Sequence, residues 1–442
     1  MLQTIKNAFQ SPDIRRKILF TFLLILVYRI GCFVPIPGLD INAMGLTNIA
    51  NNDFLQMLST ITGNSFQNGT LFALGIVPFI NSFIIMQLLT LIIPKLEKLN
   101  KEGEEGRKKI TQYTRYMAIL LAIIQAIGII FAWREFIVPI FGDGTASEVF
   151  TMIFIILILT GGSALVMWLG ERITEYGIGN GTSLIIFVGI LSTLGSAIYT
   201  AAFVTIPAQV TAANPDFTGI WFLLGFLVMV VLLFGLIVFF DMADRKIIVQ
   251  YAKQIKGNKM YGGQSTHIPI KVNASGVMPI IFATSLIMFP QMIIEFAGAG
   301  TSKFGLFWAE WFGTNGNLYP LFTFFLIIFF AYFYAQIQFN PDDVARMLQQ
   351  NGGFIPGIRP GRSTSDHLRR INNRLTLFGA LFLAFIALIP TLILQQVPGF
   401  AALGFGSAFS ATGLLIVVSV ALEFQKQLES QLLVKNNKGF LK

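Results

Sequence analysis

Apolar residues along the chain gather into ten blocks separated by short stretches rich in Gly, Pro, Lys and Arg. Each block runs for roughly 17 to 24 residues, which at the rise of an α-helix matches a hydrocarbon layer about 30 Å thick. The blocks place membrane-spanning helices near 18–34, 71–93, 113–133, 149–169, 182–204, 220–240, 277–296, 318–337, 375–394 and 405–422. Within a bilayer a spanning segment must satisfy its own backbone hydrogen bonds, so helices are expected throughout. The first block follows Arg15-Arg16-Lys17 but ends in Pro35-Ile36-Pro37-Gly38 without a small-x-small cleavage site, so it reads as a retained span.

Composition agrees with this pattern. Of 442 residues, 54% are hydrophobic and 12% charged, against about 25% charged in a soluble domain. The single cysteine, Cys32, allows no internal disulfide, and His267 and His367 stand far apart, so no metal site is expected. There is no phosphate-binding G-x-x-x-x-G-K-[ST] string and no G-x-S-x-G elbow. No catalytic residue, cofactor or metal is therefore expected, and any energy for work must come from a partner or a gradient.

The basic residues set an orientation, because Lys and Arg in short loops stay on the cytoplasmic side. Of 31 Lys and Arg, 28 fall in the two termini and in alternate loops. Arg134 and Lys303 lie in the opposite loops, and Arg29 lies inside the first span. Both termini and the four loops that hold these residues are thus expected in the cytoplasm. Two of these loops, 241–275 and 339–374, are longer than topology requires, which leaves a docking role and a purely topological one equally open.

The second span contains Gly75-Ile76-Val77-Pro78-Phe79-Ile80-Asn81-Ser82, and the seventh Gly276-Val277-Met278-Pro279-Ile280-Ile281. Each Gly-x-x-Pro string lies in the second span of a five-span half, residues 1–204 and 205–442. Because five is odd, the halves would lie inverted in the membrane, and interrupted helices at matching places point to the functional interface of such a duplication. Two unrelated proline kinks are the plainer alternative. Asn81, Gln87, Gln125 and Asn273 are either hydrogen-bonding glue between helices or a polar seam. Charges at membrane depth are few, Arg29 being the clear one, which argues against a proton relay and for a passive channel over a secondary transporter of a small solute. On the outer side, Asp53 could cap a helix with Phe54, Leu55, Leu58 and Ile61 on one face. That helix reads as interfacial or as a stopper folded into a pore. Gly177-Ile178-Gly179-Asn180-Gly181 reads as a tight turn.

Several strings, taken in order, resemble the SecY family, the protein-conducting channel subunit of the bacterial Sec translocase. They are Tyr28-Arg29-Ile30-Gly31 with Pro35-Ile36-Pro37-Gly38, Phe72-Ala73-Leu74-Gly75-Ile76-Val77-Pro78, and Lys101-Glu102-Gly103-Glu104-Glu105-Gly106-Arg107-Lys108-Lys109 with Gln112-Tyr113-Thr114-Arg115-Tyr116. Met167-Trp168-Leu169-Gly170-Glu171, Gly177 to Gly181, Val249-Gln250-Tyr251-Ala252-Lys253 and Gly353-Phe354-Ile355-Pro356-Gly357-Ile358-Arg359-Pro360-Gly361 complete the series. Two places depart from the family pattern: Ser410-Ala411-Thr412-Gly413 stands where many relatives have Gly-Gly-Thr-Ser, and Arg245-Lys246-Ile247-Ile248 where they have Arg-Arg-Ile-Pro.

The resemblance implies an all-α polytopic protein of the bacterial cytoplasmic (inner) membrane, with ten spans in two inverted halves. It would pass unfolded polypeptides across the membrane and release apolar segments sideways into lipid. The family's pore ring falls on Ile76, Ile80, Ile186, Ile281 and Ile416, and its plug on 53–66, including Asp53, Phe54, Leu55, Leu58, Ile61 and Phe66. A lateral gate between spans two and three and spans seven and eight would include Asn81, Gln125, Asn273 and Ser285. Lys259, Arg359, Arg362, Arg369 and Arg370 would dock a SecA motor ATPase or a ribosome. Small SecE and SecG-like subunits, signal-peptide-bearing substrate polypeptides and membrane lipid are the other implied partners.

Overall fold

A computed structural model of the chain describes residues 9–40, 59, 61–140, 142, 144–207, 217–251, 254–256, 259–261, 265–273, 276–296, 302–313, 316, 318–403, 405 and 411–439. Among these, helices α1 (Pro12–Gly31), α2 (Val77–Ile92), α3 (Pro94–Lys101), α4 (Glu104–Ala132), α5 (Thr145–Tyr176) and α6 (Gly181–Thr200) come first in the chain. Helices α7 (Thr218–Asp241), α8 (Met278–Phe296), α9 (Lys303–Phe312), α10 (Tyr319–Gln338), α11 (Pro341–Gln350), α12 (Arg362–Gln396), α13 (Pro398–Ala402) and α14 (Ala411–Gly439) follow. Among the described residues six helices are long and apolar enough to cross a membrane, in the places expected for spans three to six, eight and nine. Of these, α7 is apolar on every side and leaves Trp221, Val231 and Phe239 largely exposed, as suits a helix whose solvent is lipid.

Helices α2 and α3 meet at a bend of 100°. Ile93 between them is extended, with φ −94° and ψ 112°, because Pro94 drives the residue before it out of the helical region and lacks the N–H that would continue α2.

The two Gly-x-x-Pro strings are helix starts, not kinks within a span. Gly75 takes φ +53° and Gly276 φ +61°, a left-handed conformation that suits glycine and stops any helix arriving from upstream. Helix α2 begins two residues later at Val77 and α8 at Met278, so Pro78 and Pro279 occupy the first helical turn. A proline costs nothing there, since its missing N–H would have no partner in the helix. The second span is accordingly shorter than its apolar block, and residues before Gly75 form turns. Ile80 and Ile281 each lie five residues past the glycine and donate their N–H to Ile76 O (3.1 Å) and Val277 O (3.3 Å). They hold equivalent places in the repeat.

The chain is mostly helical but not all-α. Strand β1 (Asp244–Tyr251) lies between β4 (Ser265–Lys271) and β5 (Gly353–Phe354) in an antiparallel sheet, and β2 (Gln254–Lys256) pairs with β3 (Lys259–Tyr261). Ile248 stands opposite His267 in the central strand.

The chain forms two compact units. The first contains Met1–Phe226, Ser285–Tyr319 and Ile393–Lys442. One of its cores joins α4 and α5 around Trp133, Ile129, Ile155, Leu159 and Phe66. A second joins α1, the start of α2, α5, α6 and α14 around Tyr28, Phe72, Ile76, Val166 and Ile186. The other unit contains Leu227–Thr284 and Pro320–Leu392. Its sheet, α11 and the start of α12 enclose Ile247, Val249, Ile270, Leu348, Ile355 and Leu368.

The turn between α5 and α6 is as tight as its glycines suggested. Asn180 caps α6 by accepting from Thr182 N (3.1 Å), and Gly181 N donates to Thr174 Oγ1 (2.8 Å). A Cβ on Gly181 would lie 1.9 Å from the Gly170 carbonyl oxygen. That neighbour is backbone, so the clash can be relieved only by parting α5 from α6. Gly181→Ala is expected to lower stability by about 1–3 kcal/mol, measured by thermal unfolding in detergent.

Candidate pore constriction and docking surface

Four of the five isoleucines expected at a pore ring share one apolar cluster in the first unit. Ile76 and Ile186 are buried, while Ile80 and Ile416 are partly buried and pack against the same core. Ile76 is the N-cap of α2 and Ile80 completes its first turn, Ile186 lies in the second turn of α6, and Ile416 lies near the start of α14. The left-handed Gly75 and the proline start therefore decide where Ile76 and Ile80 stand. Ile281, in the other unit, is partly buried one turn into α8. Branched apolar side chains of this kind offer no hydrogen bonds. They can narrow a watery passage and exclude ions without reading the sequence of anything that passes.

Of the residues expected in a plug, Asp53, Phe54, Leu55 and Leu58 lie outside the described residues. Ile61 is half-buried and Phe66 fully buried. Phe66 packs on Trp133 with ring centroids 5.0 Å apart, inside the core of α4 and α5. The chain just beyond is tied down by backbone bonds, Ile36 N to Gly69 O and Leu71 N to Val34 O, both 2.9 Å. Phe66 is thus an anchor at the end of this segment. The sequence showed Phe66 but not its partner, since Trp133 lies in a different loop-to-helix junction 67 residues away.

Asn81, Gln125, Asn273 and Ser285 are all buried. Asn273 Nδ2 donates to Asp241 Oδ1 (3.3 Å) within the second unit. A polar tie that composition did not single out joins α2 to α4: Ser82 Oγ donates to the Thr114 carbonyl at 2.6 Å. Its signal was a small hydroxyl beside Asn81 on a membrane helix, too common to stand out.

The described parts of the loops 241–275 and 339–374 share one apolar core in the second unit. Arg359 sits on an exposed turn bounded by left-handed Gly357 and Gly361, and Thr364 Oγ1 donates to its carbonyl (2.9 Å). Arg362, Arg369 and Arg370 project from the first turns of α12, all exposed. Arg369 is engaged already, pairing with Asp342 Oδ2 at 3.0 Å, which sets it apart from its three neighbours. Lys259 lies on β3; its side chain is outside the described residues. These exposed arginines are carried on a folded body with an apolar core of its own.

These features define a multi-pass helical membrane protein with a small, partly β-structured body whose outer residues include several exposed arginines. Residues 70–425 match the SecY family. A protein translocase subunit SecY from Streptomyces galbus is 42% identical, with both chains covered in full. The chain belongs to the SecY family. Among solved structures, the structure of a protein-conducting channel has a TM-score of 0.64 and 20% identity over 94% of this chain and 91% of that one. Canine Sec61, in a ribosome-channel complex from the endoplasmic reticulum, has a TM-score of 0.60 and 18% identity over the same shares. At those identities the likeness is one of fold.

Asp342 joins α11 to α12. Its carboxylate accepts hydrogen bonds from Ser365 Oγ and from Arg369. The Ser365 bond above all, helped by the weaker charges of Arg369 and Arg346, holds its pKa below the usual range against an opposing desolvation that exceeds either charge alone. A depressed carboxylate contributes stability that is present above its unfolded value of about 3.9 and is lost as pH falls through the folded value. Protease resistance around 341–370 is therefore expected to decline as the medium is acidified below about pH 4. In Asp342→Asn it should be lower at neutral pH and should lack that acid step.

Proposed function

We propose that this chain is the central pore-forming subunit of a Sec-type protein translocase in the bacterial cytoplasmic membrane. It passes unfolded polypeptides across the bilayer and releases apolar segments sideways into lipid. The observation that carries this reading is the repeated helix start, which gives Ile80 and Ile281 the same place in two separate elements of the chain. A duplicated, inverted architecture of ten spans, in halves 1–204 and 205–442 with both termini cytoplasmic, accounts for that repeat and for the one-sided basic residues. Ile76, Ile80, Ile186, Ile281 and Ile416 form the constriction. The segment 53–66 is the plug, with Phe66 as its fixed end. Asn81, Gln125, Asn273 and Ser285 line the seam through which apolar segments leave.

The chain does no chemistry of its own in this reading. A SecA motor ATPase or a translating ribosome pushes the substrate, a signal-peptide-bearing polypeptide, and docks on the platform that carries Lys259, Arg359, Arg362 and Arg370. Relatives of the same fold found in a ribosome-channel complex support that assignment. Small SecE and SecG-like subunits complete the channel. The relatives give no support to a small-solute transporter.

Replacing both Ile80 and Ile281 with Ser is expected to raise resting ion conductance in planar bilayers while leaving expression and melting temperature close to the parent. Lower stability with unchanged conductance would place both residues in ordinary packing and remove the constriction. Arg359→Glu is expected to slow motor-driven and ribosome-driven translocation in reconstituted vesicles without altering membrane insertion. A normal rate with both engines would show that docking lies elsewhere.

A further inference from the structure

Arg29 is a charge within an otherwise apolar span, and neither the constriction nor the platform uses it. It lies in the last turn of α1, where a cation is favoured by the helix dipole, but a guanidinium in such a segment still needs partners. Its partners lie far along the chain. Nη1 donates to the Gly63 carbonyl at 3.4 Å and Nη2 to Ser192 Oγ on α6. The guanidinium also lies 5.2 Å from the centre of the Phe33 ring. One side chain thus holds both the segment that follows Ile61 and the helix on which that segment rests.

The surroundings are shaped for this grip. Gly63 takes φ +68°, and a Cβ there would lie 3.0 Å from Arg29 Nη1 and 3.1 Å from Gly189. A Cβ on Gly189 would lie 2.6 Å from the Ile61 carbonyl oxygen, so two glycines let this segment lie directly on the α6 backbone. Asn64, also left-handed at φ 68°, donates from Nδ2 to Ser196 Oγ (3.2 Å), one turn beyond Ser192. The neighbours of Arg29 keep it in place. Tyr28 stacks on Phe72 at 5.7 Å, and Gly31 leaves room for the Phe72 ring, which a Cβ would meet at 2.0 Å.

We infer that Arg29 is a positioning residue for the seal: it clamps the Gly63-Asn64 turn onto α6 through Gly63 O and Ser192, and loss of the clamp loosens the closed channel. This rests on the channel reading and adds to it the device that keeps the end of the plug segment seated. The grip is made of hydrogen bonds from a charged group to a carbonyl and a hydroxyl, which are stronger than neutral ones yet open without breaking a fold. The anchor formed by Phe66 and Trp133 lies three residues on, so the clamp and not the core sets how closely Gly63 and Asn64 meet α6.

The test uses the full chain with its translocase partners in native vesicles and planar bilayers, comparing Arg29→Gln, Arg29→Lys, Ser192→Ala and a deletion of 54–61. Arg29→Gln should raise the undocked population, and with it the resting conductance, about tenfold, equivalent to about 1.4 kcal/mol. Arg29→Lys, which keeps the charge, should recover part of the seal, and Ser192→Ala should show a smaller leak. In parallel, Asn64→Cys and Ser196→Cys in a Cys32→Ala background are joined by a short bis-maleimide, and Arg29→Gln should lower the cross-linking rate by a similar factor. A leaking deletion with a tight Arg29→Gln channel and unchanged cross-linking overturns the clamp and leaves the plug reading intact. If the deletion fails to leak, the plug reading falls, and the cross-linking rate alone decides whether Arg29 holds the turn to α6. If Arg29→Gln does not reach the membrane, Ser192→Ala carries both measurements.

Discussion

A bilayer offers no hydrogen bonds to a backbone, so each N–H and C=O within it must find a partner in the chain itself. Helices meet this demand without help, and the rest of the structure follows from how the non-helical stretches meet it. Residues 63–76 are turns with one β-bridge, Thr70 to Pro35, packed among membrane helices. Their backbone is answered by Val34, Ile36 and one another, and by Arg29 reaching Gly63. Covered in this way, an irregular segment can lie among helices, and it places α2 with Ile76 and Ile80 at its very start. Glycine supplies the approach: Gly31, Gly63 and Gly189 each leave a gap that a neighbouring ring or backbone fills.

Outside the apolar helices the physics changes to that of a small water-facing domain. Strands β1, β4 and β5 with α11 and the start of α12 bury an apolar core, and the charges sit on its outside. This separation matters for function. A basic residue on a floppy loop loses entropy when it is ordered by a partner, whereas Arg359 is carried on a turn held by Thr364 and two left-handed glycines. Arg359 is therefore presented on ordered backbone. Asp342, bonded to Ser365 and Arg369, joins its two helices and uses one arginine in doing so.

The membrane class, the places of most spans and the gathering of Lys and Arg between alternate apolar blocks were legible in the sequence because each depends on local composition alone. A run of about 20 apolar residues has few alternatives to a spanning helix, and the count of Lys and Arg needs no coordinates. Gly75, Pro78, Gly276 and Pro279 were also visible as a repeat, but they were open to being kinks. Their torsions decided otherwise: a left-handed glycine ahead of a proline begins a helix. The strands β1 and β4 went unseen since the alternation there is short and one face is buried only by packing on Leu348, Ile355 and Leu368, about a hundred residues away.

What the sequence determined by itself is thus the solvent of each segment, lipid or water, because side-chain transfer energies are local and add along a helix. What the tertiary structure alone decided is which residues meet: Ile186 and Ile416 beside Ile76 and Ile80, Phe66 against Trp133, Arg29 on Gly63 and Ser192. Those meetings join residues from 34 to 340 positions apart. They depend on how helices pack and on where glycine lets backbones touch, and neither is written in the periodicity of any one segment.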